Sequence, residues 1–211
     1  MLKVKTQTQH LLADVRNTNK IFNFMIENIL ASSSPRRKTL LNQIGFNFRI
    51  INSNVKEHNN LRFPPEAFAE YWAREKSKAV AISHPDALVI GADTIITLNG
   101  EIYGKPKNET DSLNMLMMLS GKTHEVITGI SLILLNQKID ISFNEQTYVT
   151  LATLDKETIL NYIKNYAPFD KAGSYGIQDG FAAHIEKING CYFNVMGLPL
   201  SSFYKVYNTI I

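Results

Sequence analysis

Three groups of residues in this 211-residue sequence have the types and spacing to act on a phosphate. The first is Ser32-Ser33-Ser34-Pro35-Arg36-Arg37. Ser34 suits a helix N-cap and Pro35 the first helical position. The start of a helix carries a partial positive charge and ordinarily recruits Asp or Glu. Here it carries two arginines, which makes sense if an outside anion joins them. Free backbone N–H groups, serine hydroxyls and guanidinium forks together form a phosphate site, with Ser32, Arg36 and Arg37 as its contacts. The competing explanation is a solvated helix start with two surface arginines. The second group is Asp93, which interrupts the apolar run Leu88–Ile96. A lone carboxylate in a buried strand is costly unless it is paired, hydrogen-bonded or metal-bound; a purely structural aspartate is the alternative. The third group is dispersed: Glu57, Lys78 and Lys105, the last in the loop Gly104-Lys105-Pro106. Together these residues suit phosphoryl or nucleotidyl chemistry with a divalent ion held by oxygen ligands.

The elements that must position these groups are legible from periodicity and turn chemistry. Ile29–Gly45 has the form of a short buried strand, a serine loop and a helix. Leu40, Leu41 and Ile44 fall at helical spacing, and Gly45 is a stop signal. Phe46–Ile51 is expected as a strand, followed by the polar stretch 52–60. Pro64-Pro65 open a helix running to about Ile82, with Phe68, Tyr71, Trp72, Ala79 and Ile82 expected on its buried face. Leu88–Ile96 is a buried strand or strand pair, and Asn99-Gly100 signals a hairpin. Glu109–Leu119 is expected as a helix with Leu113, Leu116 and Met117 inward. Val126–Leu135 and Ile141–Leu151 are expected as long strands. Asp155 caps a helix through Tyr166 that turns Ile159, Tyr162 and Ile163 inward. Phe169–Gly180 is a glycine-rich loop that lets backbone approach a ligand closely. Phe181–Ile188 is expected as a strand and Pro199–Ile211 as a closing helix.

Other function classes find no support. The five histidines lack zinc-ligand spacing, no Gly-x-Ser-x-Gly elbow occurs, and Gly104-Lys105 lacks the spacing of a P-loop. The single cysteine, Cys191, cannot form an internal disulfide, so a reducing compartment such as the cytoplasm is expected. A net charge of +3 does not demand a nucleic-acid partner, and no apolar run spans a bilayer. Residues 1–24 are polar and lack the pattern of a secretory signal. They are expected to be an extension, with at most a weak helix over His10–Arg16, ahead of a functional domain at 25–211.

In this order the motifs resemble the Maf-like nucleoside triphosphate pyrophosphatases. The resemblance rests on Leu30-Ala31-Ser32-Ser33-Ser34-Pro35-Arg36-Arg37, Lys78-Ala79, Gly91-Ala92-Asp93-Thr94 and Gly104-Lys105-Pro106. It continues through Leu119-Ser120-Gly121-Lys122-x-His124-x-Val126-x-Thr128-Gly129, Asp170-Lys171-Ala172-Gly173-x-Tyr175-Gly176-Ile177-Gln178 and Gly197-Leu198-Pro199. It implies an α/β fold of the Maf and inosine triphosphatase type. That fold has an elongated central mixed sheet flanked by helices and a nucleotide-binding cleft between two lobes, usually in a homodimer. It implies hydrolysis of a nucleoside triphosphate to the monophosphate and pyrophosphate with Mg2+ or Mn2+. Asp93 would be the catalytic proton acceptor and, with Glu57, a metal ligand. Ser32, Arg36, Arg37, Lys78 and Lys105 would bind phosphate. Arg36, Thr94 and Gln178 match the branch that prefers dTTP and UTP, with Thr94 and Gln178 expected to read the base. Two departures stand out: Lys56 replaces the family's usual aspartate before Glu57, and Asp179 replaces the glycine usual after Gly-Ile-Gln. A pyrophosphatase for modified or purine triphosphates is the alternative enzyme. A non-catalytic nucleotide or nucleic-acid binder in cell-division control is the alternative outside enzymes.

Overall fold

The computed structural model describes residues 26–58 and 61–211. The expected extension and the weak helix over His10–Arg16 lie outside the described residues. In chain order the elements are β1 (Asn28–Leu30), α1 (Pro35–Gln43), β2 (Arg49–Ile50), α2 (Pro65–Ala81), β3 (Leu88–Leu98), β4 (Glu101–Tyr103) and α3 (Glu109–Leu119). They continue with β5 (Thr123–Leu134), β6 (Ile139–Leu151), α4 (Lys156–Tyr166), β7 (Ile185–Asn189), α5 (Tyr192–Val195) and α6 (Leu200–Ile210). The strands form one mixed sheet in the order β2-β1-β3-β5-β6-β7, with β4 also on β3. β1 runs parallel to β2 and β3; all other pairs are antiparallel. Among the described residues no helix is long and apolar enough to cross a membrane.

Local chemistry accounts for most of these elements. Ser34 caps α1 by accepting the Arg37 backbone N–H, Pro35 occupies the first turn, and Leu40 and Leu41 are buried. Asn99 and Gly100 both have positive φ (54° and 81°), the conformation of a type I′ turn between β3 and β4. Asp155 caps α4 through the Thr158 N–H, and Ile159, Tyr162 and Ile163 are buried as expected.

The sheet is notched, and the notch organises the molecule. β1 pairs with β3 only as far as Ile90, and β4 takes up the same edge from Ile96. Residues 91–95 of β3 therefore have no strand neighbour on that side, while β5 continues unbroken on the other. Two cores lie on either side of the gap. One joins Leu30, Leu40, Leu41, Ile90, Leu198 and Phe203. The other joins Ile96, Leu98, Leu116, Leu119, Val126 and Phe181. These are the two lobes, and the open edge of β3 lies in the cleft between them.

Four local expectations are corrected. Pairing of the expected strand Phe46–Ile51 is confined to Arg49–Ile50, because three-residue β1 offers no longer partner. Phe46 packs instead against the rings of Phe203 and Tyr207, 5.3 and 4.9 Å away. Phe181 lies in a 3₁₀ turn, Gly180–His184, whose first N–H groups are capped by Asp179. In α2, Ala79 is exposed and Ile82, just past its end, is 66% exposed; Ala69, Ala73, Ser77 and Ala81 are buried instead. That face is made of small residues, so hydrophobic size alone misjudges its phase. In α3 the exposed Met117 gives up its place in the core to Leu119.

Candidate active site

The gap in the sheet opens into a cavity of about 650 Å³. Its walls come from the β1–α1 loop, the segment before α2, residues 93–96 of β3, Gly104-Lys105, the glycine-rich loop and the turn at Met196-Gly197.

Asp93 and Lys76 form its floor. Asp93 is 5% exposed, and its Oδ1 lies 2.7 Å from the Lys76 Nζ. The same Nζ lies 2.6 Å from Glu57 Oε1. Two glycines bring the lysine there. Gly91 precedes Asp93 by two residues and shares its face of the strand. A Cβ on Gly91 would collide with the Ala73 carbonyl and crowd Ser77. Gly129 pairs with Asp93 across the β3–β5 ladder, and a Cβ there would collide with the backbone of Ala69 and Glu70. The backbone of α2 thus lies directly on the sheet, with Lys76 over Asp93. Burial works to raise the pKa of the Glu57 carboxyl. The Lys76 ammonium, helped by Lys105 and Arg37, outweighs it and holds the group below the usual carboxylate range.

Arg37 is the buried centre of the second wall. Its Nε donates to the Gly197 carbonyl (2.8 Å), Nη1 to Ser32 Oγ (3.2 Å) and Nη2 to Thr94 Oγ1 (3.0 Å). Burial lowers the Arg37 pKa, with Asp93 opposing the shift. Three of the five guanidinium N–H groups are thereby held, and two remain. Ser32 Oγ also accepts the Ser34 N–H, which leaves its own proton to donate. Thr94 stands on the same wall. Its hydroxyl lies 3.0 Å from that of Thr128, which donates onward to the Asn194 carbonyl. Thr94 thus accepts from Arg37 and bonds with Thr128, which helps to hold Arg37 in place.

The third wall is the glycine-rich loop. Asp170 bridges two cations: Arg36 Nη1 at 2.6 Å, from the opposite wall, and Lys171 Nζ at 2.9 Å. Burial works to raise the Asp170 pKa, but Lys171 and Arg36 outweigh it and hold the carboxyl low. Asp179 accepts from the Tyr162 hydroxyl (3.2 Å) and from the Phe181 N–H (3.0 Å), with Lys171 at 3.8 Å. Both carboxylate oxygens thus have partners within the protein. Gln178 is exposed on the cavity wall and makes no side-chain hydrogen bond among the described residues.

The fold brings Ser32, Arg36, Arg37, Glu57, Asp93, Thr94, Lys105 and Gln178 to one cavity. It does not bring Lys78, which is exposed and absent from the lining. Two residues of helix turn a side chain by about 200°, so Lys76 and Lys78 point to opposite sides. Lys76 has the position expected of Lys78, and a signal for it existed: it continues the four-residue ladder of buried Phe68, Trp72 and Val80. Lys171 and Tyr166 also line the cavity without having been singled out.

Five cationic and four acidic side chains line the cavity, a formal balance of +1. That does not compensate a triphosphate. Among the described residues there is no group of three or more His, Cys, Asp or Glu that could cage a metal. Asp93 and Glu57 do converge on a single cation, the Lys76 ammonium. Two hard carboxylates fit an ion such as Mg2+ that keeps its waters and draws its other ligands from substrate phosphates.

Comparison with known proteins identifies the family. The model of the family described as "Maf-like protein" matches residues 27–210. The chain is 45% identical to the dTTP/UTP pyrophosphatase of Bacillus pumilus, over 86% of this chain and 95% of that protein. It is 48% identical to the protein of the same name from Ruminiclostridium cellulolyticum, over 82% and 90% of the two chains. The solved Staphylococcus aureus Ham1 protein is similar with a TM-score of 0.44 and 19% identity, over 60% of this chain and 72% of that one. With a family model spanning nearly all its described residues and relatives matched almost end to end, the chain belongs to the Maf-like family.

Proposed function

We propose that this protein hydrolyses dTTP and UTP to the nucleoside monophosphate and pyrophosphate. One observation carries the reading: a near-buried carboxylate, Asp93, stands in the same cavity as a cradle of serine, arginine and lysine donors. Relatives of this name, matched over most of their own length, support the substrate.

The residues divide the work. Ser32 and the two remaining N–H groups of Arg37 bind phosphate oxygens, and Lys105, which also lines the cavity, adds a further cation. Arg36 reaches the substrate from its pairing with Asp170. These fixed donors stabilise the charge that builds on the leaving pyrophosphate. Asp93 holds Lys76 through Oδ1 alone, which leaves Oδ2 to orient water and take its proton. Asp93 and Glu57 are the side chains that would hold Mg2+ or Mn2+, which when bound neutralises triphosphate charge. Gln178, with no partner of its own among the described residues, reads the base edge. In the same reading the enzyme works in the cytoplasm as a homodimer.

The test is pyrophosphate release from a panel of nucleoside triphosphates with Mg2+ or Mn2+, for wild type beside Asp93→Asn. Turnover of dTTP and UTP is expected in the wild type. A loss of more than about a hundredfold is expected in the variant. Near-normal turnover by a folded Asp93→Asn protein would remove Asp93 from the mechanism. Preferential turnover of modified purine triphosphates would replace the substrate assignment.

A further inference from the structure

Tyr166 is a cavity-lining aromatic that neither the fold nor the mechanism above uses. It is the last residue of α4, where Ala167 takes a left-handed conformation (φ 42°) and turns the chain into the glycine-rich loop. It is 46% exposed, so it contributes little to a core. It is nevertheless held. Its ring is stacked on Tyr162, with centroids 5.2 Å apart and planes 23° apart. Tyr162 is itself fixed: its hydroxyl accepts the Gly176 N–H (3.1 Å) and donates to Asp179, and its ring packs edge-on to Phe181 at 4.8 Å. The phenol end of Tyr166 rests where any side chain on Gly180 would stand. One face of the ring is covered, one end is braced, and the residue lines the cavity together with Gln178 and Asp179.

We propose that Tyr166 is the stacking platform for the pyrimidine base; the proposal rests on the dTTP/UTP reading above. A rigid aromatic has little side-chain entropy to lose when a flat ring lies on it, and stacking tolerates any base with a π-face. It therefore suits a site that accepts both thymine and uracil, which differ by a methyl group, while Gln178 reads the edge. The departure at position 179 gains a role as well. The Asp179 carboxylate accepts from Tyr162 and from the Phe181 N–H, and through Tyr162 it fixes the platform.

The experiment compares steady-state kinetics of wild type, Tyr166→Leu and Tyr166→Phe on dTTP and on a base-free substrate, 2-deoxyribose 5-triphosphate. Tyr166→Leu is expected to raise KM for dTTP about tenfold and to leave KM for the base-free substrate within about twofold; Tyr166→Phe, which keeps the ring, stays near wild type. An unchanged KM for dTTP in Tyr166→Leu overturns the proposal, as does an equal rise for both substrates. A second measurement uses the wild type alone: irradiation with 5-iodo-dUTP, with the crosslink mapped by mass spectrometry. A crosslink at Tyr166 supports stacking, and crosslinks confined to other residues overturn it. If the wild type turns over no triphosphate, the pyrophosphatase reading fails, and the crosslink alone decides the role of Tyr166.

Discussion

Arg36 and Arg37 are adjacent and chemically identical, yet they do different work. Arg37 is buried and tied to Gly197, Ser32 and Thr94; it sets the shape of the phosphate wall. Arg36 is half-buried and spans the cavity to Asp170, where a ligand can compete for it. The same contrast separates Lys76 from Lys78. Lys76→Met removes the one ammonium between Asp93 and Glu57. Its expected cost is about 3 kcal/mol of stability, because a near-buried carboxylate loses its partner. A loss of at least a hundredfold in kcat should accompany it. Lys78→Met, on the exposed side of the helix, should stay within about twofold of wild type in kcat. Thermal melts beside steady-state assays measure both, and equal effects would refute the placement.

At the scale of elements, catalysis depends on how closely α2 lies on the sheet. That closeness is set by Gly91 and Gly129, neither of which carries chemistry. Gly91→Ala would press a methyl group into the Ala73 carbonyl and Ser77. Overpacking of this kind costs about 1–3 kcal/mol. The helix must also lift, which moves Lys76 away from Asp93. The expected result is a lower melting temperature together with a fall in kcat at nearly unchanged KM for dTTP. Loss of stability with full kcat would show that the Lys76–Asp93 contact does not depend on this seating.

For the whole molecule, the two lobes meet along β5, and the buried His124 near its start makes the folded state sensitive to acid. His124 is 1% exposed, and one ring nitrogen, Nε2, lies 2.7 Å from the Tyr175 hydroxyl. Burial pushes its pKa down to about 4. The unfolded chain takes up this proton near pH 6.5 and the folded protein only near 4. Between those values the unfolded state binds more protons, so stability falls as pH falls. The loss is about 3 kcal/mol across the whole window, since one proton taken up only by the unfolded chain costs about 1.4 kcal/mol per pH unit. Urea denaturation at pH 7.5 and 4.5 should show the drop, and His124→Gln should lose most of it. Glu57 and Asp170, held low by their cationic partners, add to the fall only further into acid, as the pH drops through their folded-state values.

The residues alone were enough to mark the serine loop, its cap and its two arginines, and to single out Asp93 as a carboxylate needing a reason. They were also enough to order the long strands and helices. Capping, turn conformation and periodicity act over a few residues, so they are written locally. The role of each donor was not written there. Whether residue 76 or 78 of one helix meets Asp93 is decided by how that helix seats on Gly91 and Gly129, which are distant in sequence. Whether Thr94 has a proton to offer depends on Thr128 and Asn194, and whether Asp179 is a loose charge depends on Tyr162. Tyr166 gave no signal, because an aromatic at a helix end looks the same whether it faces solvent or a cavity. These choices are made by contacts between distant segments, and only the folded sheet with its gap brings those segments together.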